Sequence, residues 1–249
     1  MELWNESDFP FINKRMKKET RSSGMELSAE IAPRPTPSRT KARRRKQPKE
    51  GRPYHHGALR EALLQAAEEI LAEEGIGGLT LRAAARRAGA SHAAPKNHFD
   101  DLAGLLSELA AVGFRRFSAA LRAAAERETD PKRRAAARGL AYVRFAERHP
   151  GLFQLMFRSE RLDDERPALR EAMDDATRAL GEVADEGQEH DPEMPSRAKL
   201  ARMVAAWSLV HGFAMLLLDG RIAGIMRHAP DGMETEDLLT GMLDLWSFE

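Results

Sequence analysis

Residues 80–106 read TLRAAARRAGASHAAPKNHFDDLAGLL, and this stretch decides the fold. Thr80 has the side chain of an N-cap, and Leu81, Ala84, Ala85 and Ala88 recur at helical spacing as one apolar face. Gly89 can take the left-handed conformation that ends this helix, and only Ala90 separates it from Ser91, a second N-cap. A second short helix is expected to run to about His98, with His92, Ala93, Lys96 and Asn97 on its open side. Pro95, counted from Ser91, falls at the fourth helical position and removes only the first internal hydrogen bond. Two helices joined by so short a glycine turn cross steeply, the geometry that seats the second in a DNA major groove. Short helix pairs also occur inside ordinary bundles, so spacing alone leaves a packing role open.

The stretch and its flanks resemble the DNA-binding domain of the tetracycline-repressor (TetR) family of bacterial regulators. The motifs are Tyr54-His55-His56-Gly57, Leu59-Arg60-Glu61-Ala62-Leu63, Glu73-Glu74-Gly75 and Leu79-Thr80-Leu81-Arg82. They continue through Ala88-Gly89-Ala90-Ser91-His92-Ala93-Ala94-Pro95 to His98-Phe99, in the family's order and spacing. Two positions depart from the pattern. Lys96 stands where such sequences carry Tyr, exchanging an aromatic contact for a charge. Leu102 stands where they carry Lys, deleting a phosphate contact.

The resemblance implies double-stranded DNA as a partner, read by a dimer. His92 and Ala93 fall in the first turn of the reading helix, where side chains meet base edges. Ala93 offers only a methyl, for thymine. Lys96 suits guanine O6 and N7, and Asn97 suits adenine, although both can equally hold phosphate. Thr80, Ser91 and His98 are the candidates for backbone contacts, the first two at helix N-termini that favour anions. His98 has a second reading, a partly buried ring packed under Phe99. Phe99, Leu79 and Leu81 belong to the core.

Working outward, the 249 residues are 42% hydrophobic and 31% charged, with 39 basic and 39 acidic side chains. That suits a soluble globular chain of one or two domains. The charge is unevenly spread, since residues 1–52 hold fourteen Lys or Arg against seven acids. Residues 1–52 read as a disordered basic extension, punctuated by Pro33, Pro35, Pro37 and Pro48. Its sharpest run, Arg39–Lys49, is either a phosphate-contacting arm or a solvated tail. Met25 is an alternative start. With no cysteine, disulfides and thiolate zinc sites are excluded. The first thirty residues lack a signal-peptide pattern, and the apolar run Met203–Leu218 is sixteen residues long, so it reads as a buried helix. The expectation is a cytoplasmic protein with no membrane partner.

The rest of the chain reads as helix throughout, with no strand. Leu59, Leu63, Ala66, Ala67 and Ile70 line a first helix ending near Gly75. Asp100 is expected to cap a long helix to about Glu128, and Asp130-Pro131 to open another ending at His149-Pro150. The apolar segment Leu152–Phe157 follows. Further helices are expected from Pro167 to Glu186, from a Ser196 cap to Leu218, and from a Thr235 cap to the end. The fold class is all-α: a three-helix DNA-binding module over 53–101, then a helical effector-binding and dimerisation bundle over 102–249.

A second resemblance lies in the C-terminal half. Ala206-Trp207-Ser208-Leu209-Val210-His211-Gly212 looks like the Trp…His-Gly signature of one TetR effector-domain subgroup. His149-Pro150-Gly151-Leu152-Phe153-Gln154-Leu155-Met156-Phe157 is similar to that subgroup's upstream segment. The likeness implies a small-molecule pocket among the central helices and a four-helix dimer interface from the last two. Phe145, Phe153, Met156, Phe157, Trp207 and His211 are the pocket candidates. Each also suits plain core packing, because Met and aromatic side chains fill cores as readily as pockets.

Enzyme chemistry finds no support. The chain has no Gly-rich phosphate loop, no nucleophile elbow and no His-Glu-x-x-His pair. Adjacent His55 and His56 point about 100° apart on a helix and do not share a metal. No cofactor or metal is implied. The sequence therefore predicts a ligand-released, dimeric transcriptional regulator, a repressor by family habit, binding a palindromic operator. The rival reading is a helical ligand-binding or interaction protein whose DNA binding has decayed, motivated by Lys96 and Leu102.

Overall fold

The computed structural model describes residues 56–185 and 197–246, and the basic extension, the Tyr54-His55 motif start and the Ser196 cap lie outside them. Runs of Ala and Leu, punctuated by caps rather than β-branched stretches, become helices, and no strand occurs among the described residues. The first three are α1 (His56–Gly78), α2 (Leu81–Arg87) and α3 (Ala94–Phe99). Then come α4 (Leu102–Ala125), α5 (Pro131–Arg148), α6 (Pro150–Met156) and α7 (Pro167–Asp185). The last are α8 (Arg197–Leu218), α9 (Ile222–Met226) and α10 (Thr235–Trp246). The fold class is all-α, as the sequence predicts.

Several boundaries follow local chemistry. The helical run of α1 is broken at Gly75, whose φ of 69° and ψ of −174° are not helical. Asp130 caps α5 by accepting the Arg133 amide at 2.9 Å, with Pro131 in the first turn. The long helix α4 starts one residue later than expected. Asp101, in an extended conformation, accepts the Gly104 amide at 2.8 Å, while Asp100 takes a φ of 67° and belongs to the preceding turn. A cap must be extended for its side chain to reach forward, and only Asp101 is. Thr235 begins α10 rather than capping it; the Glu234 amide donates to the Asp237 carboxylate at 2.8 Å. The short α9 has no counterpart in the sequence reading.

α4 is the spine. Its buried face, from Leu105 through Leu109 and Phe117 to Leu121, packs on α1 and α3 near its start and on α5, α6 and α7 further along. Arg122 ties α4 to α7 with two hydrogen bonds of 2.9 Å to the Asp175 carboxylate, which pull Asp175 down to about 2. Arg144 joins α5 to α10 through a paired contact with Glu236 at 2.6 and 2.5 Å.

α8 corrects the sequence reading. By length and composition Lys199–Leu218 is apolar enough to cross a bilayer, yet only 17% of its most apolar window is buried. It packs on α5 and α7 through one face, with Val204 and Trp207 part-exposed at the edge of that face, and leaves Leu200 and Leu216 exposed. Apolar residues run all round this helix, so one face serves the chain's own core and, among the described residues, part of the remainder stays uncovered.

Candidate functional site

The helix pair α2–α3 is built by its caps. Thr80 Oγ1 accepts the Ala83 amide at 3.0 Å and starts α2. Gly89, at φ 65°, ends it: the Gly89 amide donates to Arg86 at 3.2 Å and the Ala90 amide to Ala85 at 2.9 Å. These two bonds are the Schellman pattern, and the left-handed residue between them suits glycine. The second helix begins later than the sequence predicts. Ser91 does not cap it; the Ala94 amide donates to the Ser91 carbonyl at 3.0 Å, making a turn that holds His92 and Ala93. Pro95 is then in the first turn of α3, where its missing amide costs no internal bond. The proline, not the serine, sets where α3 starts.

Ser91, His92 and Ala93 in the turn and Lys96 and Asn97 on α3 are all exposed. Thr80 is exposed too, its hydroxyl oxygen already engaged with Ala83. His98 is half-buried, its ring 6.2 Å from that of Phe99. The opposite side of α3 is anchored by Phe99, which is fully buried, with the Arg60 guanidinium 5.6 Å above its ring. Arg60 also pairs with Glu108 on α4. Leu102, where the family carries a cation, is half-buried against the core.

Below this layer an apolar cavity of about 310 Å³ opens between α4, α6, α7 and α8. Phe114, Phe117 and Phe157 form its aromatic floor, Leu169, Met173 and Ala176 one wall, and Met203, Val204 and Trp207 the other. Thr177 and Asp164 are its polar members, and among the described residues no Lys, Arg or His lines it. A concave apolar site with few polar groups is what a small ligand uses.

Beside the cavity, Trp207, Tyr142 and His211 form a bonded set. Trp207 Nε1 donates to the Tyr142 hydroxyl at 3.1 Å, and that hydroxyl stands 2.8 Å from His211 Nδ1. Burial pushes the Tyr142 phenol well above its usual range, so it keeps its proton. Burial lowers His211, favouring the neutral ring. The one consistent assignment has Tyr142 donating to Nδ1 and His211 carrying its proton on Nε2. The Trp…His spacing of four residues is thus one helical turn of α8, placing both side chains on Tyr142 of α5.

Of the sequence's pocket candidates, Met156, Phe157 and Trp207 line the cavity. Phe145 and Phe153 are buried in the packed core, each edge-on or tilted against neighbouring rings. His211 is set back behind Phe157, with ring centroids 4.6 Å apart. The sequence reading did not single out Phe114, Phe117 or the α7 wall. The stripe Leu169, Met173, Ala176 and Leu180 is legible as a helical face, but nothing in its spacing says that it faces a space rather than a side chain.

Residues 135–243 match the family described as Tetracyclin repressor-like, C-terminal domain. No curated protein matches by sequence. Among solved structures, a protein of unknown function from Rhodococcus sp. RHA1 is 36% identical, with a TM-score of 0.63, covering 79% of this chain and 97% of its own. The TetR family transcriptional regulator PfmR from Thermus thermophilus is 23% identical, TM-score 0.51, covering 74% of this chain and 95% of its own. The transcriptional regulator FadR from Bacillus subtilis, in complex with stearoyl-CoA, is 16% identical, TM-score 0.54, covering 74% and 96%. The last two are similar in fold alone. With its helix pair, its apolar cavity and these matches together, the chain belongs to the TetR family of transcriptional regulators.

Proposed function

We infer that the protein is a cytoplasmic, dimeric transcriptional repressor that binds a palindromic operator and is released by a small apolar effector. The observation that carries this reading is the exposed face Ser91, His92, Ala93, Lys96 and Asn97, backed by the buried Phe99. Side chains that could have packed inward are instead held outward on a rigid helix pair, which suits a groove. His92, Ala93, Lys96 and Asn97 read bases; Thr80, Ser91 and His98 hold the backbone. The N-terminal module reads as 53–101 and the effector and dimerisation bundle as 102–249, and the basic run at 39–49 adds sequence-independent attraction to phosphate.

The uncovered stripe of α8 supports the dimer. Leu200 of α8 is 45% exposed beside the exposed Ala201, Ala205 and Ser208, and Leu245 of α10 is 76% exposed. A two-fold pairing of α8 and α10 with a second copy buries this surface. The two reading helices then lie about one helical turn (~34–36 Å) apart, and a small rigid shift unseats both.

The experiment is selection of duplexes from a random library by the full-length protein, followed by a gel-shift on the recovered sequence. Recovery of an inverted repeat supports the reading. Recovery of nothing but a salt-sensitive general affinity favours the rival, a ligand-binding protein that no longer reads sequence.

A further inference from the structure

The C-terminal end of α3 is held by a residue flanked on both sides in sequence by residues of the cavity wall. Arg166 stands directly before α7, and its Nη2 donates to the Phe99 carbonyl at 2.9 Å and to the Asp100 carboxylate at 2.7 Å. Its Nε faces the Asp163 carboxylate at 3.4 Å. The turn it grips is strained. Asp100 has φ 67° and ψ −58°, and the Asp101 amide donates to the Phe99 carbonyl at 2.8 Å. This is a γ-turn of the hand that L-residues avoid, kept only where the surroundings enforce it. Gly104 leaves the passage open, because a Cβ there would stand 1.9 Å from the Phe99 carbonyl oxygen and 2.4 Å from Arg166 Nη2.

The other end of the same segment meets the cavity. Leu162 and Asp164 before Arg166, and Leu169 after it, are wall residues. The segment is tethered to α4 by the Asp163 amide, which donates to the buried Ser107 hydroxyl oxygen at 2.8 Å. A displacement of Leu162 and Leu169 therefore moves Arg166 relative to the turn it holds.

We propose that Arg166 is the positioning residue that couples the cavity to the reading helix. With the cavity empty, it clamps the turn 99–101 and sets the tilt of α3. An occupant that spreads Leu162 and Leu169 withdraws the guanidinium, the strained turn relaxes, and α3 loses its seat. The clamped and released turns supply two discrete states, and an occupant shifts them by its differential affinity for the released one. This rests on the reading that α3 meets DNA and the cavity takes an effector, but the clamp is measurable without either.

The test uses the full-length protein and Arg166→Ala, Arg166→Lys and Asp100→Asn. The Asp100 carboxylate is 82% exposed, so its variant keeps the fold while losing the ion pair. Ala176→Phe fills the cavity from α7, and N-phenyl-1-naphthylamine serves as a soluble occupant. Amide exchange over residues 99–102 is expected to rise about fivefold or more with either occupant, and to be already high and unresponsive in Arg166→Ala. Arg166→Lys should fall between. On the selected duplex, cavity filling should weaken wild-type binding within the range of about 5–150-fold, and by less than about twofold in the Arg166→Ala and Asp100→Asn backgrounds. Equal weakening in all backgrounds overturns the clamp, as does exchange that ignores Arg166→Ala. If no duplex is selected but exchange still responds, the DNA reading falls and the clamp stands. If DNA is bound and the effects simply add, the clamp falls and the regulator reading stands.

Discussion

The Tyr142 hydroxyl stands 2.8 Å from Nδ1 of His211, joining α5 to α8 beside the cavity. Because the same hydroxyl accepts from Trp207 at 3.1 Å, removing it leaves one donor and one acceptor without a partner. Tyr142→Phe is expected to lower unfolding stability by about 1–3 kcal/mol, the cost of polar groups left unpaired. It should also free the Trp207 ring at the cavity edge and shift its fluorescence. Chemical denaturation checks the first outcome, and an unchanged midpoint with unchanged slope would show that water replaces the hydroxyl at no cost.

His211 makes stability depend on pH with a definite sign. Its folded pKa lies below the reference value of 6.5, so the unfolded chain takes up the proton first as pH falls. The stability it contributes is complete above that value and is lost as pH drops below it, levelling once the folded ring itself titrates. The stability difference between wild type and His211→Gln should therefore shrink between about pH 7.5 and pH 5.5. A difference that stays flat across that window means His211 titrates alike in both states.

Lys96 gives the sharpest test of the reading face. It is exposed on α3, a flexible point charge where related sequences carry an aromatic ring. Lys96→Ala is expected to cost roughly 1–3 kcal/mol on the selected duplex, concentrated at one base position per half-site. A uniform loss on every sequence would assign it to phosphate instead and leave His92 and Asn97 as the readers.

The wall of the cavity discriminates by charge. Among the described residues Asp164 is the only ionisable group that lines it, so a buried carboxylate on a ligand finds no cation there. Of three ligands with one shape, naphthalene-2-methanol and 2-(aminomethyl)naphthalene should bind at least about tenfold more tightly than 2-naphthoate, because an unpaired buried carboxylate is costly. Quenching of Trp207 fluorescence reads the affinities. Comparable binding of all three would mean the headgroup stays in solvent.

The dimer rests on α8 and α10. Leu200 is 45% exposed and Leu245 76% exposed, and neither lines the cavity, so charges there leave the ligand site intact. Leu200→Glu with Leu245→Glu should convert a dimer to a folded monomer in sedimentation at micromolar concentration, with unchanged helicity. A wild-type protein that already sediments as a monomer removes the case for a palindromic operator.

Much of this was written locally. The Thr80 cap, the left-handed Gly89, the Asp130-Pro131 start and the apolar period of α4 each depend on residues within one or two turns, so the sequence alone determined the helix pair and the all-α class. It also determined that Trp207 and His211 share a face, since four residues make one turn. Tertiary structure decided the rest. Ser91 looked like a cap, yet Pro95 set the start of α3. Phe145 and Phe153 looked like pocket residues, yet the same chemistry packed them into the core while Phe114 and Phe117 faced the cavity. Arg166, a single arginine before a proline, showed nothing of its contact with Phe99, 67 residues away. Helical periodicity records which side of a helix is apolar. What meets that side, whether another side chain, an open space or a second copy, depends on how the helices are placed against one another, and only the packed structure specifies that.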